Sequence, residues 1–246
     1  MSYNPALIVK NSVVGGVLAM LLLSGCASVQ NIDADKGAVG ATKRIVVLGI
    51  HEPGNVAIVN IGGAAGAFGL IGGLIQGDTN ASHSKDFVAK LKQQKVSLSE
   101  PLLEAVTQSL KKGGYEVAVV RDQKPKLAAD GKSDDYSNVH VDADAILSVW
   151  FGVAGYMSSP YSTHYEPWVA VNARLLDAKT KRDIYRKTFC IGYKAKVENA
   201  VFLPADPKYR YKSFDDIMAN FSDATAGLVD CGQIAATQIA QDLKVR

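Results

Sequence analysis

The apolar positions of the chain follow two different periods, and together these predict a mixture of strands and helices. Residues 44–50 are almost all apolar and rich in β-branched side chains, which predicts a strand buried on both faces. Residues 115–121 alternate around a β-branched core and predict a second strand. After these, turn-separated apolar runs predict an antiparallel meander over 143–156, 168–177 and 183–194.

Helical periodicity marks three other parts of the chain. Residues 84–95 predict a weakly amphipathic helix. The next helix should begin after the capping-box sequence at 97–100 and end at Gly113-Gly114, where a left-handed cap favours glycine. Residues 213–243 carry apolar side chains at helical intervals, so one or two helices should lie across the sheet.

The segment 56–77 is unusual, because Asn60 is its only polar residue before Gln76. Its glycines recur at steps of three or four residues: Gly62, Gly66, Gly69, Gly73 and Gly77. On a helix they would form a stripe against which a second backbone packs, so one interpretation is a membrane-inserting or oligomer-forming helix. The other is a short strand over 56–60 followed by a hydrophobic hairpin or loop-helix, since interior glycines weaken a helix. The pattern leaves both open.

Residues 1–25 have the layout of a secretory signal that is cleaved from the chain. A polar opening with Lys10 as its only charge precedes an uncharged apolar run over 13–23. This run is short for a membrane span, which needs about 20 residues. The sequence Leu-Ser-Gly-Cys at 23–26 looks like the lipobox of bacterial lipoproteins, in which the thiol of Cys26 receives the lipid. We therefore expect anchoring through acyl chains, palmitate among them.

The residues after the cleavage point indicate where the protein is held. By resemblance to lipoprotein sorting in enteric bacteria, Ala27 after the cysteine favours the outer membrane, with the domain facing the periplasm. Residues 26–42 are small, polar and without period, which predicts a flexible tether. A single domain is then expected over 43–246, a length sufficient for one real core.

Composition limits the classes of function. The 246-residue chain has a formal net charge of +3 that includes Lys10, and it has no basic stripe, so we expect no nucleic-acid partner. A Walker loop, Gly-x-Ser-x-Gly, His-Glu-x-x-His and Cys-x-x-Cys are all absent from the sequence, which weakens every enzyme interpretation. No cofactor and no metal are predicted.

The best candidate for a metal-assisted enzyme is the run His140-Val-Asp142-Ala-Asp144. Alternate residues of an extended chain project to one side, so these three side chains would offer three ligands. The competing interpretation is a polar lead into a buried strand.

Two remaining cysteines predict a disulfide. If Cys26 carries lipid, Cys190 and Cys231 are left in an oxidising compartment, where paired thiols oxidise. A bridge between them would join a late strand to the last helix. Two separate buried thiols are the alternative, because sequence spacing does not place them within bonding range.

Aromatic residues on a predicted loop are the candidates for partner binding. The loop 156–168 concentrates aromatics with two prolines, and Tyr161, Tyr165 and Trp168 are its candidates. These rings would instead fold back on the sheet edge if they belong to the core. The run Lys208-Tyr-Arg-Tyr-Lys212 alternates bases with tyrosines and suits either an anionic surface or an exposed strand.

Three short sequences together resemble the CsgG, LpoB and TolB N-terminal superfamily of envelope proteins. They are Gly-Tyr-Glu-Val from Gly114, Asp-Ala-Asp-Ala-Ile-Leu-Ser-Val from Asp142, and Ala-Ala-Thr-Gln-Ile-Ala-Gln-Asp-Leu from Ala235. The resemblance implies an α/β sandwich in the periplasm that acts in export or envelope assembly through protein contacts. With the meander, the predicted fold class is α/β: a two-layer or three-layer sandwich of a mixed sheet and packed helices, after a cleaved signal peptide.

The function expected from the sequence is that of a lipid-anchored, non-enzymatic binding or assembly factor for another envelope component. The alternative is an oligomeric secretion or pore component that inserts residues 60–77 into the membrane. Its partners would be the membrane, through the lipid, and an envelope protein, with a homo-oligomer left open.

Overall fold

The computed structural model describes residues 30–61, 78–130, 133–159, 164–195 and 197–244. The strands found there are β1 Arg44–Leu48, β2 Val56–Asn60, β3 Glu116–Val120, β4 Lys126–Leu127, β5 Asp134–Asp135, β6 Ala145–Ser158, β7 Tyr165–Asp177, β8 Asp183–Gly192 and β9 Val201–Leu203. The helices are α1 Lys36–Ala41, α2 Asp78–Gln93, α3 Ser99–Lys112, α4 Phe214–Ala219 and α5 Phe221–Asp242, with a 3-10 helix at Pro207–Tyr209.

The long strand β6 organises the main sheet, whose order is β3-β1-β6-β7-β8-β9. The first residues of β6 pair in parallel with β1, and its last residues pair in parallel with β2. The strands β7 and β8 continue as antiparallel neighbours, and β9 is parallel to β8. The fold is therefore mixed α/β, and the predicted antiparallel meander is confirmed.

The main core lies between one face of the sheet and the helices α3 and α5. The inward positions that helical periodicity predicts for α3 are buried there: Leu102, Leu103, Val106 and Leu110. The opposite face carries two smaller apolar clusters. One lies around Ile146 and Tyr136, beneath the connection between β3 and β6, and the other lies around Met157 and Trp168.

The predicted end of α3 at Gly113-Gly114 is confirmed, whereas the helix begins at Ser99, inside the predicted capping box, whose Glu100 carboxylate pairs with Arg121 instead. Pro101 lies in the first turn, where its missing N–H leaves no intrahelical bond unmade. Gly114 follows the helix with a φ of +95°, a conformation that glycine adopts without strain. At the other end, the hydroxyl of Ser97 accepts a hydrogen bond from the Glu100 N–H at 3.2 Å.

The N-terminal segment differs from the predicted tether over 26–42, because residues 30–42 pack against the domain. Ile32 forms an antiparallel bridge with Arg186 of β8, and the helix α1 follows. The side chain of Asp35 caps α1 by accepting from the Ala38 N–H, and Val39 is 3 % exposed. Periodicity did not reveal α1, because a helix of six residues with one buried side chain has no repeating apolar face.

The predicted disulfide is absent, since Cys190 and Cys231 are both free and buried. Phe189 and Ile191 face the same core as Cys231, so strand alternation directs Cys190 to the opposite face of β8. Cys190 lies across from Ala170, which belongs to the other apolar cluster. The sheet therefore separates the two thiols.

Candidate functional site

Several residues that the sequence singled out lie outside the described residues. They are Cys26, Tyr161, Gly62, Gly66, Gly69, Gly73 and Gly77. The signal peptide 1–25 and most of the segment 56–77 lie outside them as well, but residues 56–60 form the strand β2 that one interpretation predicted.

The other two aromatic candidates for partner binding are buried. Tyr165 is 5 % exposed and Trp168 is 8 % exposed, because β7 begins at Tyr165 and carries both residues into the sheet. The Trp168 ring packs in the cluster that contains Met157 and Val59. In this fold these two aromatic side chains support the sheet and offer little surface to a partner, which corrects their assignment as exposed anchors.

At one end of the main sheet, residues of β2, β6 and β7 lie side by side next to Tyr165. In register, Asn60 of β2 lies next to Ser158 of β6, which lies opposite Tyr165 of β7. Tyr211 continues this row, since Tyr165 and Tyr211 exchange backbone hydrogen bonds of 2.7 and 3.0 Å. Burial raises the pKa of Tyr165, and a hydrogen bond with Asn60 partly offsets that rise. We call this row of four residues the β2–β6–β7 end.

Two segments of the sequence leave the sheet at this same end. The chain departs from β2 after Asn60 toward the glycine-rich segment and re-enters the described fold in α2. It also departs from β6 after Ser158 into the aromatic loop and returns at Tyr165. The fold therefore brings together the origins of both segments that the sequence marked for contact.

Side chains of α2 cover the outer edge of β2. Asn80 accepts a hydrogen bond from the Asn60 N–H at 3.0 Å and donates one to the Asn60 carbonyl at 3.1 Å. One helical turn later, the Ser84 hydroxyl accepts from the Ile58 N–H at 2.9 Å. These side chains replace a neighbouring strand, and they hold the start of α2 against the end of β2.

A cleft of about 480 Å³ opens beside Tyr211. Its lining residues combine aromatic, basic, acidic and amide groups: Lys208, Tyr209, Arg210, Tyr211, Asp216, Asn220, Asp223 and Ala226. Four of these residues belong to the Lys208–Lys212 run of the sequence, which does not form the exposed strand that one interpretation predicted, because a 3-10 helix occupies Pro207–Tyr209. Contact of this run with an anionic surface stays a prediction. We call this opening the Tyr211 cleft.

Charged groups of the Tyr211 cleft are held by neighbours in the same chain. Arg210 forms an ion pair with Glu166 of β7 at 3.1 Å. The carboxylate of Asp216 accepts hydrogen bonds from the Lys212 N–H at 3.0 Å and from the Asn220 amide at 2.9 Å. Burial raises the pKa of Tyr211, and the negative charge of Asp223 adds to that rise.

The floor of the cleft is a close contact between the 3-10 helix and α5. A Cβ atom at Gly227 would lie 2.7 Å from Cγ of Tyr209 and 2.8 Å from the hydroxyl of Tyr156. The Tyr156 hydroxyl also donates a hydrogen bond to the Ala224 carbonyl at 2.9 Å. Glycine is needed here because the ring of Tyr209 approaches the helix backbone.

A second cleft, of about 440 Å³, lies between the N-terminal segment, β8 and the end of α5. Tyr185 donates a hydrogen bond there to the carboxylate of Asp242 at 2.9 Å. Burial raises the pKa of Tyr185, and the charge of Asp242 raises it further. Lys187 is paired with Asp33 at the same place. These pairs join the N-terminal segment and α5 to the sheet.

Two of the candidate metal ligands, just before β6 begins, bind residues at the start of β1. Asp144 accepts hydrogen bonds from the backbone N–H groups of Lys43 and Arg44 at 2.9 and 2.8 Å, and these bonds lower its pKa. Asp142 forms an ion pair with Arg44 at 3.1 Å. The described part of the chain contains no group of three side chains placed to hold a metal ion. The run matches the polar lead into a strand.

Comparisons with known proteins give a distant likeness only. No protein-family model and no curated protein matches the chain. Among solved structures, the PelC dodecamer from Paraburkholderia phytofirmans has a TM-score of 0.36 at 12 % identity, over 88 % of this chain and 96 % of that one. XCC0632 from Xanthomonas campestris, of the DUF330 family, has 0.37 at 14 % identity, over 82 % of each chain.

A third structure is the lipoprotein GNA1162 from Neisseria meningitidis. Its TM-score is 0.24 at 12 % identity, over 59 % of this chain and 79 % of that one. The resemblance to the CsgG, LpoB and TolB N-terminal superfamily is not confirmed by these comparisons. At these scores the likeness assigns neither a family nor an activity.

Proposed function

We propose that this chain is a lipid-anchored protein of the bacterial envelope that binds another envelope component and catalyses no reaction. The signal sequence and the lipobox at Cys26 support the anchor, and Ala27 supports an outer-membrane position with the domain in the periplasm. The observation that carries the binding role is the β2–β6–β7 end. There the Tyr211 cleft adjoins the strand ends from which the glycine-rich segment (61–77) and the aromatic loop (159–164) depart.

The groups around the Tyr211 cleft suit recognition better than catalysis. Asp216 is bound to Asn220 and Arg210 to Glu166, so these side chains present oriented polar groups of both signs at the surface. Tyrosine and arginine are enriched at the centres of protein interfaces. Here Tyr209 is half-buried and Arg210 is exposed, so these two side chains can reach a partner, whereas Tyr211 is buried and supports the cleft from within. A partner protein with its own mixed pattern of charges is the occupant that this surface favours.

The proposal is tested by photo-crosslinking in intact cells. A photoreactive residue replaces Lys208, whose side chain is 62 % exposed at the rim of the cleft. A matched derivative carries the same residue at Leu127, which is 69 % exposed in the connection between β3 and β6. We expect a discrete crosslinked envelope protein from position 208 and none from position 127.

A second variant connects the crosslink to the cleft itself. Arg210→Glu places like charge beside Glu166 and should reduce the crosslink from position 208 several-fold while the domain stays folded. The same products from both positions, or no product from position 208, would refute the proposed contact surface.

The alternative function is an oligomeric secretion or pore component that uses residues 60–77 in a membrane. One observation favours a specific form of it. Because Asn60 and Asn80 are joined by two hydrogen bonds, the chain leaves and re-enters the described fold at one place. A single helix over residues 61–77 would separate its ends by about 25 Å. Any insertion must therefore enter and return on the same side.

This alternative has its own test. Among the described residues no helix is both long and apolar enough to cross a membrane. Single cysteines introduced along 62–77 would be protected from an aqueous label in intact vesicles if the segment inserts, and the detergent-extracted protein would form rings. Complete labelling at every position would exclude insertion and leave the binding role.

A further inference from the structure

The strand β3 forms an uncovered edge of the main sheet. It pairs in parallel with β1 on one side and with nothing among the described residues on the other. Ala118 and Val119 are both exposed, and Val119 is one of only two large hydrophobic side chains exposed in the described part of the chain. Edge strands of soluble proteins are usually blunted by lysine, proline, a bulge or a covering element. The sequence Glu-Val-Ala-Val-Val contains none of these.

Two other edges of the same sheet are covered. Asn80 and Ser84 bind the backbone of β2, as described above. The free side of β8 is occupied by the bridge of Ile32 to Arg186 and by β9. The other terminal strand, β9, is only three residues long, and a short edge strand is one of the ways in which proteins resist edge pairing. The five-residue edge of β3 has no such protection among the described residues.

The hydrogen bonds of β3 show which backbone groups point outward. The Glu116 N–H donates to the Lys43 carbonyl, and the Val120 carbonyl accepts from the Gly49 N–H. The backbone N–H and C=O groups of Glu116 and Val120 therefore point toward β1. Alternate residues of a parallel strand direct their backbone groups to opposite sides, so the backbone groups of Ala118 also point toward β1. The N–H and C=O groups of Val117 and Val119 point away from the sheet.

We propose that β3 pairs antiparallel with β3 of a second copy of this chain. A two-fold axis at Ala118 places Val117 of one copy opposite Val119 of the other, and each such pair exchanges two backbone hydrogen bonds. The two outward residues are symmetric about Ala118, so the strand is complementary to itself. Val119 then packs beside Val117 of the second copy and loses its exposure.

The neighbouring registers are less favourable. A shift that pairs Val119 with its own symmetry mate places Glu116 opposite Asp122, and like charges directly across a strand pair are destabilising. A shift that pairs Val117 with its mate requires the Tyr115 N–H, which already donates to the Leu110 carbonyl. The register centred on Ala118 uses every outward group of β3 and avoids both conflicts.

The pairing is independent of the Tyr211 cleft, because it uses another edge of the sheet. A ladder of five residues is short, so free chains in dilute solution should pair weakly. Anchoring two copies in one membrane would raise their effective concentration. Failure of the crosslinking test at position 208 would leave this inference intact, and the reverse also holds.

The register is tested by disulfide trapping of the full chain in bacterial membranes. At a non-hydrogen-bonded antiparallel pair the Cα atoms lie about 4.5 Å apart, within the range of a disulfide. Ala118→Cys should therefore yield a covalent dimer under mild oxidation. Glu116→Cys lies on the same strand, but its symmetry mate is four residues away, about 13 Å, and should yield none.

A second pair of variants separates register from chance collision. Val119→Lys, added to Ala118→Cys, should reduce the dimer at least five-fold, whereas Leu127→Lys, at the other exposed apolar residue, should leave it unchanged. Thermal unfolding of each reduced variant shows that its domain is folded. Equal trapping at positions 116 and 118, or trapping at 118 no greater than in the parent chain, would overturn the pairing.

Discussion

The carboxylate of Glu52 lies over the N-terminus of α3 and accepts a hydrogen bond from the hydroxyl of Ser99 at 2.7 Å. It also accepts from the backbone N–H groups of Leu98 and Ser99 at 3.0 and 3.3 Å. A residue before β2 thus caps a helix that begins more than forty residues later. Carboxylates are stabilising at this end of a helix, because the first N–H groups have no intrahelical partner.

Replacing this carboxylate should weaken the fold in a pH-dependent way. Partial burial tends to raise the pKa of Glu52, but the hydrogen bonds from Ser97, Ser99 and Leu98 outweigh it and lower the pKa below 4.5. A lowered pKa means that the stabilisation is present above 4.5 and lost as the pH falls through the folded value. Glu52→Gln should cost about 1 kcal/mol near neutral pH, a modest value because Glu52 is partly solvated.

Urea unfolding at several pH values measures this difference. The gap between the parent chain and Glu52→Gln should close below the folded pKa. Glu104→Gln, on the exposed side of α3, serves as control and should change the free energy of unfolding little. A gap that stays constant with pH would show that charge plays no part in the cap.

The cover over the edge of β2 should also contribute measurably to stability. Ser84→Ala removes the acceptor of the Ile58 N–H, and Ile58 is fully buried, so its N–H would lose its partner. We expect a loss of about 2 kcal/mol in the free energy of unfolding, with faster hydrogen exchange at Ile58. Thr237→Ala removes an exposed hydroxyl from α5 and should have little effect. Equal effects of the two substitutions would argue against an edge-covering role.

Sequence periodicity predicted the parts of this fold in which many side chains repeat. The meander and α3 have several inward residues each, so their burial followed from spacing alone. The α1 helix has only Val39 to bury, and its hydrogen bonds involve the backbone, which composition does not reveal. Cap residues such as Glu52 were missed because they lie far from their helix in the chain.

The candidate site was predicted only in part, for a related reason. The sequence marked the run 208–212, but the cleft beside it depends on residues of α4 and α5 that meet it only in the fold. Trp168 was placed where the loop 156–168 meets the predicted strand 168–177, whereas β7 begins at Tyr165 and buries the Trp168 ring. Whether an aromatic side chain near the start of β7 is exposed or buried depends on where the strand begins, and sequence patterns do not fix that boundary to within a few residues.

The burial of Trp168 predicts a structural effect for its removal. Trp168→Ala should lower the free energy of unfolding by about 3 kcal/mol, since a large ring packed on Met157 leaves a cavity. Urea unfolding of this variant beside Leu127→Ala, at an exposed site, measures the contrast. A Trp168→Ala variant as stable as the parent chain would show that the Trp168 ring is not packed in the core.

Two glycines of α5 should respond in opposite directions to the same substitution. A Cβ at Gly227 would overlap the ring of Tyr209, so Gly227→Ala should cost about 2 kcal/mol and displace the 3-10 helix from the cleft. At Gly232 the nearest atoms belong to Leu102 at 3.6 and 3.7 Å, which is ordinary contact. Gly232→Ala should therefore stabilise the domain by about 0.5 kcal/mol, because alanine favours a helix. Thermal unfolding of both variants decides this, and a shift of the same sign in each would contradict it.

The two buried thiols should remain reduced and unreactive in the folded protein. Burial raises the pKa of Cys190 to about 11 and that of Cys231 to about 12, and Asp230 adds to the rise at Cys231. Since the thiolate is the reactive form, a maleimide at about pH 8 should label neither thiol in the native chain. After denaturation without reductant, the maleimide should label both thiols, because the sheet keeps them on opposite faces and unable to form a disulfide.

Mass spectrometry of the mature chain counts the labels. Two labels are expected if Cys26 carries lipid, whereas none would mean that Cys190 and Cys231 are oxidised and that β8 is turned over relative to α5.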